Sequence, residues 1–424
     1  MNFNNILHKA SEYIWGNGLI FLLLLTGLLY TIRSHFVQFR FIPFLIRSRN
    51  ITHSDDKDDK GISQMKTVCL SLGTAMGTGN ITGVASALAI GGAGAVFWMW
   101  VSAFLGMALV YGENFLSAKY SRADGLKGPM AYLKYGLGSN WLPYIFAFLC
   151  VSASLGMGGM VQVSSFSDSL YSCGNFNPYI VSAIIFAVIF LVIKGGVGRI
   201  GTVSQVLLPL AAISYTIVCL IVLFRFCNRV PQAFMQIFSQ AFTFDSAAGG
   251  ISGFAVSRAV SVGIRRGIFS NEAGLGSSPI LHSASENSSP QLQGMWSVFE
   301  VFFDTIICCT LTAVVIITAG ENFSIQSAFH IVIGNFSPFF LTVLMAVFAF
   351  CTIIGWYFCG ETAFRCLFRG KNIKIFTLLF AAFSSLGAIF TLDSVFALSD
   401  IFNGLMAIPN LLALILLISK VKNE

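Results

Sequence analysis

The chain has 424 residues, of which 56% are hydrophobic and only 10% charged, with a net charge of +7. Its mean hydropathy is +0.79. A soluble domain carries about 25% charged residues. A soluble enzyme, a nucleic-acid binder and a disordered chain are therefore excluded, and the surface must face lipid.

A bilayer-spanning helix takes about 20 apolar residues. Continuous runs such as LIFLLLLTGLLY (19–30) and IVSAIIFAVIFLVI (180–193) read as helices. A membrane barrel would instead show short alternating segments. In chain order the spans are expected at 17–33, 66–92, 94–120, 141–171, 178–194, 200–226, 246–264, 292–319, 338–366, 374–391 and 394–419, eleven in all. The run at 17–32 lacks a small-residue cleavage site and reads as a retained helix. Two shorter pieces, 231–243 with Phe234, Ile237, Phe238 and Phe242, and 324–334, read as interfacial. The polar segment 47–64, with its SDDKDDK run, is a loop, and no stretch reads as a separate soluble domain.

Lysines and arginines collect in alternate loops, as anionic cytoplasmic lipid favours. They include Arg33–Lys66, Lys119–Lys134, Lys194 and Arg199, Arg265 and Arg266 after the seventh span, Arg365–Lys374, and Lys420 and Lys422. Arg225 and Arg229 break the rule. This parity puts the N-terminus outside and the C-terminus in the cytoplasm. It also accounts for the net charge without an anionic partner. The ten scattered cysteines read as small packing residues; Cys173 lies in a short loop with no obvious partner.

Three spans carry residues that packing alone does not require. The second holds Gly73-Thr74-Ala75-Met76-Gly77-Thr78-Gly79-Asn80. Glycines cost a helix about 1 kcal/mol each, and a broken membrane helix is tolerated where it lines a cavity. Freed carbonyls can then hold a cation and freed N–H groups a carboxylate. A close helix–helix contact through Gly73 and Gly77 is the plainer reading, but Asn80 adds a polar group that such a contact does not need. The seventh span repeats the pattern at Gly249-Gly250-Ile251-Ser252-Gly253. Paired interruptions in two halves point to inverted repeats of five spans, 2–6 and 7–11, with the site at mid-depth. The expected divisions are 1–64 for the extra helix and its loop, 65–230 for the first repeat and 231–424 for the second. Asp304 in the eighth span, near Thr305, Thr310 and Thr312, is either a cation ligand or a polar link. Gln162, within GMGGMVQVSS (156–165), reaches substrate or bonds another helix. Trp356 caps a small pocket or anchors packing, with Gly355 beside it, and Thr352 offers a hydroxyl to sodium. The chain has no nucleotide-binding GxxxxGK[ST] motif to drive transport, no zinc spacing and no catalytic cluster, and its histidines lie far apart. No enzyme, cofactor or obligate protein partner is expected.

The stretches GTGNITGVASALAIGGAGAVFWMWVSAFLGMA (77–108), KGPMAYLKYGLG (127–138), RRGIFSNEAGLGSSP (265–279), FDTIICCTLTA (303–313), TIIGWYFCGE (352–361) and FNGLMAIPNLLAL (402–414) resemble the alanine or glycine:cation symporter family. The resemblance runs along nearly the whole chain. It implies an all-α polytopic protein with the five-plus-five LeuT-type fold of neurotransmitter:sodium symporters and one extra N-terminal helix. It implies import of alanine, glycine or D-alanine with sodium, or with protons, across the plasma membrane. By that likeness Thr78 and Gly79 hold the amino-acid backbone groups. Gln162, Gly249, Gly250, Ile251 and Trp356 wall the pocket. Gly73, Met76 and Thr352 form a sodium site, and Asn80 and Asp304 join the cation-binding set. The 269–274 signature, just after Arg265 and Arg266, reads as a cytoplasmic gate or support. Ala93 stands where the family usually has proline, Lys127 where it has glycine and Ile251 where it has phenylalanine. A channel, a non-transporting amino-acid sensor and a membrane enzyme are the competing classes. The polar residues cluster at mid-depth, and neither an output domain nor a catalytic cluster is evident.

Overall fold

The computed structural model describes residues 3–48, 62–122, 125–194, 196–242, 258–285, 289–319 and 324–421. The regular structure among them is helical, with one isolated bridge between Ile62 and Ser285. The chain begins with a helix that the span reading did not include, α1 (Phe3–Ile14), followed by α2 (Asn17–Arg33) and the short α3 (Phe41–Ser48). Leu7, Ala10 and Ile14 recur at helical spacing, the signal that marks α1 in the sequence.

Next come α4 (Gln64–Ala75), α5 (Thr82–Gly91), α6 (Gly94–Tyr120), α7 (Leu142–Tyr171), α8 (Pro178–Ile193) and α9 (Gly196–Arg225). The interfacial piece expected near 231–243 is α10 (Val230–Gln240). Then follow α11 (Arg258–Asn271), α12 (Ser278–His282), α13 (Pro290–Ala319), α14 (Ile325–Ile333), α15 (Ser337–Phe368), α16 (Ile373–Leu386) and α17 (Leu392–Leu417). Among the described residues, seven helical stretches are apolar and long enough to cross a bilayer, and α8 and α16 are shorter apolar helices. This is a multi-pass membrane protein.

Two helices are interrupted. At 1.5 Å per residue, α4 and α5 extend about 18 and 15 Å. If the two make one crossing, as the sequence reading expects, the break between them falls near the middle of a hydrocarbon layer about 30 Å thick. The second described break lies between α11 and α12, where Glu272, Gly274 and Gly276 take φ of +57°, +85° and +84°. The glycines make that turn possible at little steric cost. The sequence reading placed the second interruption at Gly249–Gly253, which lies outside the described residues. It also ended the seventh span at 264, whereas α11 continues to Asn271.

Arg265 and Arg266 are accordingly inside a helix, not in a loop after it. They are tolerated there because Asp400 on α17 faces both, at 3.7 and 4.0 Å, and Phe396 stacks under the Arg266 guanidinium at 4.5 Å. Arg33, Lys119 and Lys127 are held by carbonyls near helix ends. Arg33 and Lys119 donate to carbonyls at 418–420, beyond the end of α17, and Lys127 donates to Ser283 O. The arginine pair lies instead with His8 and Asp393, towards the opposite end of α17.

Both α7 and α13 contain wide π-helical turns, at Ser154–Met160 and Phe302–Cys309. Such turns shift which side chains face a neighbour and are frequent at functional sites. Here they present Met157 and Gly158 on one helix and Asp304 on the other. All ten cysteines are free thiols.

Candidate functional site

The first break rearranges a defined set of backbone bonds. In a continuous helix the N–H groups of Gly77, Thr78 and Asn80 would point at the carbonyls of Gly73, Thr74 and Met76. Instead Gly77 donates to Ala75, Asn80 to Gly77, and Thr78 to the Gln162 side chain at 3.1 Å. The Gly73, Thr74 and Met76 carbonyls lose their helical donors. Gly73 O accepts the Thr352 hydroxyl at 3.2 Å in exchange. Gln162 Oε1 also accepts the Thr78 hydroxyl at 2.9 Å, and its Nε2 donates to Met157 O in the wide turn. The structure thus brings Gly73, Thr78, Gln162 and Thr352 together around Gly77. A methyl at Gly77 would meet Thr352 Oγ1 at 2.5 Å and Gln162 Oε1 at 2.9 Å.

The Asp304 carboxylate joins the two breaks. It accepts Asn80 Nδ2 at 2.7 Å, Ser270 Oγ at 2.7 Å and Thr305 Oγ1 at 2.9 Å. Asn80 belongs to the first interruption and Ser270 to the signature stretch of the second. The remaining amide oxygen, Asn80 Oδ1, is buried without a hydrogen-bond partner. A buried unpaired acceptor is costly, and it is the kind of atom a hard cation ligates.

The signature stretch therefore packs directly against the first break. A methyl at Gly79 would lie 3.3 Å from the Phe269 ring. Glu272 Oε1 accepts the Trp356 indole N–H at 2.8 Å, and its Oε2 accepts the Ser277 hydroxyl at 2.5 Å. Trp356 is fully buried, and its ring occupies the space a side chain at Gly158 would need. Gly355 does not open onto a cavity: a methyl there would collide with Thr74, so this glycine lets α15 approach α4. Gly249, Gly250 and Ile251 lie outside the described residues.

The sequence reading did not single out the buried acids Glu113, Glu300 and Asp400. Glu113 Oε1 accepts Asn410 Nδ2 at 2.5 Å; Asn410 also donates to Gly274 O at 2.9 Å and accepts the Tyr132 hydroxyl. Glu300 meets His282 Nε2 at 3.1 Å and accepts the Ser71 hydroxyl at 2.7 Å, while His282 Nδ1 lies 2.7 Å from Gln293 Oε1. The signal that singled out Asp304, an acid within an apolar run, is equally present in LVYGENF (109–115) and SVFEVFF (297–303).

A model of the sodium:alanine symporter family matches residues 1–424. The chain belongs to this family of transporters. It is similar to the sodium/alanine symporter AgcS of Methanococcus maripaludis, with 35% identity over 100% of this chain and 97% of that protein. The amino-acid carrier protein AlsT of Bacillus subtilis is also 35% identical, over 98% and 90% of the two chains. The probable sodium/glutamine symporter GlnT of the same organism is 34% identical, over 97% and 88%.

Two of the departures from the sodium:alanine symporter pattern have visible roles. The Ala93 N–H donates to Gln240 Oε1 at 3.0 Å, a bond that a proline could not make. Lys127 is half-buried and donates to Ser283 O at 3.1 Å, tying its loop to the end of α12. Burial first, and the charge of Arg365 second, hold its ammonium below the usual lysine range.

Proposed function

We propose that this sodium:alanine symporter family member imports small neutral amino acids (alanine, glycine or D-alanine) with sodium across the plasma membrane. The observation that carries the reading is the pair of oxygen sites at the first break. One is the Gly73 carbonyl with the Thr352 hydroxyl, to which the reading adds the Met76 carbonyl. The other comprises Asn80 Oδ1, which lacks a partner, and the Asp304 carboxylate. Oxygen-only sets of this kind suit a hard monovalent cation by the logic that governs calcium and magnesium. Unwound helix segments at mid-depth are where transporters of this type hold ions and substrate. Thr78 and Gly79 with Gln162 bind the substrate's backbone groups. Trp356, Gly249, Gly250 and Ile251 wall the pocket and limit its size.

In this reading the seven long helices, α8, α16 and the two interrupted crossings make eleven spans. Spans 2–6 and 7–11 form the five-plus-five inverted repeat, within 65–230 and 231–424. The N-terminus is outside and the C-terminus cytoplasmic. The meeting of Arg33 and Lys119 at the carbonyls that follow α17 supports this orientation.

The test is counterflow of labelled alanine in proteoliposomes, with and without an inward sodium gradient. Sodium-dependent accumulation is expected. Uptake that persists in choline buffer and follows a pH gradient would assign protons as the coupling ion. Single cysteines at positions 55 and 323 should be labelled from opposite sides, the first only from the cytoplasm. Labelling of both from one side would overturn the span count.

A further inference from the structure

His282 closes α12 and Glu300 lies on α13; both are buried. The imidazole faces acceptors on two sides. Its Nδ1 lies 2.7 Å from Gln293 Oε1. Gln293 turns its oxygen to the ring because its Nε2 is committed to Gln64 Oε1 at 2.7 Å. On the other side, Nε2 of the ring lies 3.1 Å from each Glu300 oxygen. A neutral imidazole has one N–H and one lone pair, so one of these contacts would set a lone pair against an oxygen. Both are satisfied when both ring nitrogens carry protons. The carboxylate beside the ring offsets the burial of that charge, and the Ser71 hydroxyl on α4 donates to Glu300 Oε2 at 2.7 Å.

The same groups fasten the start of α4 to α12 and α13. The Ile62 N–H donates to Ala284 O at 2.9 Å, Ser285 Oγ to Gln64 Oε1 at 2.8 Å, and Gln64 Nε2 to Gln293 Oε1 at 3.3 Å. Loss of the second ring proton leaves a lone pair against an acceptor. The ring regains its partners by keeping Nε2–H for Glu300 and accepting at Nδ1 from Gln293 Nε2. Gln293 can offer that donor only by turning over, which withdraws it from Gln64 Oε1. Gln64 must then turn as well, and Ser285 loses the oxygen to which it donates. The proton state of one ring is thereby relayed to α4, the helix that ends at the first break.

A polar chamber of about 90 Å³ adjoins the pair, bordered by Asn114, Ser117, Ser121, His282 and Gln293. It is large and polar enough to admit water. Asn114 Oδ1 is buried without a hydrogen-bond partner, and Ser121 is exposed, so protons have a route from the surface to the ring. The titratable groups around the pair are Cys69 on α4, Glu272 just before α12, Cys359 on α15, whose thiol donates to Ser277 O, and Lys127. Lys127 is the one cation of this group, and its ammonium is turned to Ser283 O.

We propose that His282 and Glu300 form a proton-binding site that fastens α4 to α12 and α13, so that acidity on the side of Lys127 and Ser121 sets how readily α4 is released. The proposal rests on the transport reading, in which that side is cytoplasmic. The proton bound here regulates and does not drive uptake. It binds the fastened arrangement better than the released one, so protonation favours the first and a rise in pH the second.

The test has two measurements on full-length protein. In the first, isotope-labelled histidine is observed by nitrogen NMR in nanodiscs, with His8, His35, His53 and His330 replaced by glutamine so that His282 alone reports. Its ring should carry two protons at the acidic end of the range from about pH 5 to 8 and one at the other end. Glu300→Gln should lose the two-proton form at the acidic end. A ring that stays neutral throughout, or doubly protonated throughout, would overturn the proposal. In the second, uptake of labelled alanine into proteoliposomes is followed at a fixed sodium gradient and fixed external pH while the internal pH is raised through the same range. Uptake should rise about fivefold, the lower end of ordinary coupling between sites, and His282→Gln should remove the rise. A rise that survives in His282→Gln would overturn the regulatory role. If that variant does not reach the membrane, Ser71→Ala decides: it cuts α4 from the pair and keeps the ring, so the ring should still titrate while the rise shrinks, and an undiminished rise would overturn the link to α4. Should the protein take up no amino acid at all, the transport reading falls, and the ring titration still shows whether the proton site exists.

Discussion

Replacing Gly77 by alanine tests the core of the proposed site with a single methyl. The Gly77 backbone is extended, with φ −99° and ψ −159°, so any residue can adopt it and no backbone strain intervenes. The effect must come from space. The new methyl would stand 2.5 Å from Thr352 Oγ1, 2.9 Å from Gln162 Oε1 and 3.4 Å from Thr352 Cβ. Restoring ordinary contact requires the two oxygens to retreat by about 0.5–1 Å. They are the atoms that hold Gly73 O and the Thr78 N–H and hydroxyl. Overpacking of this order costs about 1–3 kcal/mol, a factor of roughly 5–150 in an equilibrium. In proteoliposomes, Gly77→Ala should therefore raise the half-saturating concentrations of both sodium and alanine within that range. Gly83→Ala, in the first turn of α5, is the control, since its added methyl has nothing within 4 Å, and the expected change is below threefold. Unaltered saturation in a monodisperse Gly77→Ala protein would refute the assignment. Equal damage from both substitutions would trace the loss to stiffening of the segment and not to the two oxygens.

Four further outcomes are expected. Thr352→Val removes the hydroxyl at Gly73 O and should raise the sodium requirement of uptake more than it lowers protein yield. Trp356→Phe leaves the buried Glu272 oxygen without its donor and should lower thermal stability by about 1–3 kcal/mol. Trp356→Ala should in addition let serine, valine or leucine compete with labelled alanine, and an unchanged competition profile would mark Trp356 as packing only. Asn80→Ala and Ser270→Ala share the Asp304 carboxylate, so a double-mutant cycle on uptake should show a coupling of about 0.5–3 kcal/mol; simple additivity would contradict the shared hub. Gly83→Ala has nothing within 4 Å of its added methyl. Replacing this first-turn glycine of α5 should stabilise the protein by up to about 1 kcal/mol, read as a higher melting temperature.

The spans and the first interruption are legible in the sequence because each depends on local chemistry. Apolar runs match the bilayer thickness, and Gly73, Gly77 and Gly79 fall within one short stretch. What escapes is set by partners distant in sequence. Arg265 and Arg266 look like a cytoplasmic loop because positive charge normally marks one. Only the fold reveals that Asp400 and Phe396, some 130 residues later, make room for them within α11. Glu272 reads as part of a loop until Trp356 and Ser277 are seen to hold its carboxylate. Gly355 looks like a cavity wall until Thr74 appears against it. A glycine in a helix signals close approach, but not which neighbour approaches. The wide turns at 154–160 and 302–309 leave no mark in the apolar pattern, yet they set where Gln162 and Asp304 point.

The two breaks are joined by bonds, not merely adjacent. Asp304 sits on α13 and takes one hydrogen bond from Asn80 beside α5 and one from Ser270 near the end of α11. Movement of either segment away from α13 must surrender a donor to a buried carboxylate, which costs more than a neutral bond because the group is charged and out of water. The second link runs through Glu272, whose two oxygens hold Trp356 on α15 and Ser277 just before α12. Gly73 and Thr352 provide the third, between α4 and α15. Each contact couples an interrupted helix to a continuous one through an oxygen atom. A cation arriving among these oxygens competes for the same lone pairs, so its binding free energy falls on the bonds that fix the helices relative to one another. With the cation bound as proposed, its occupancy would be coupled to helix position by the placement of these polar atoms.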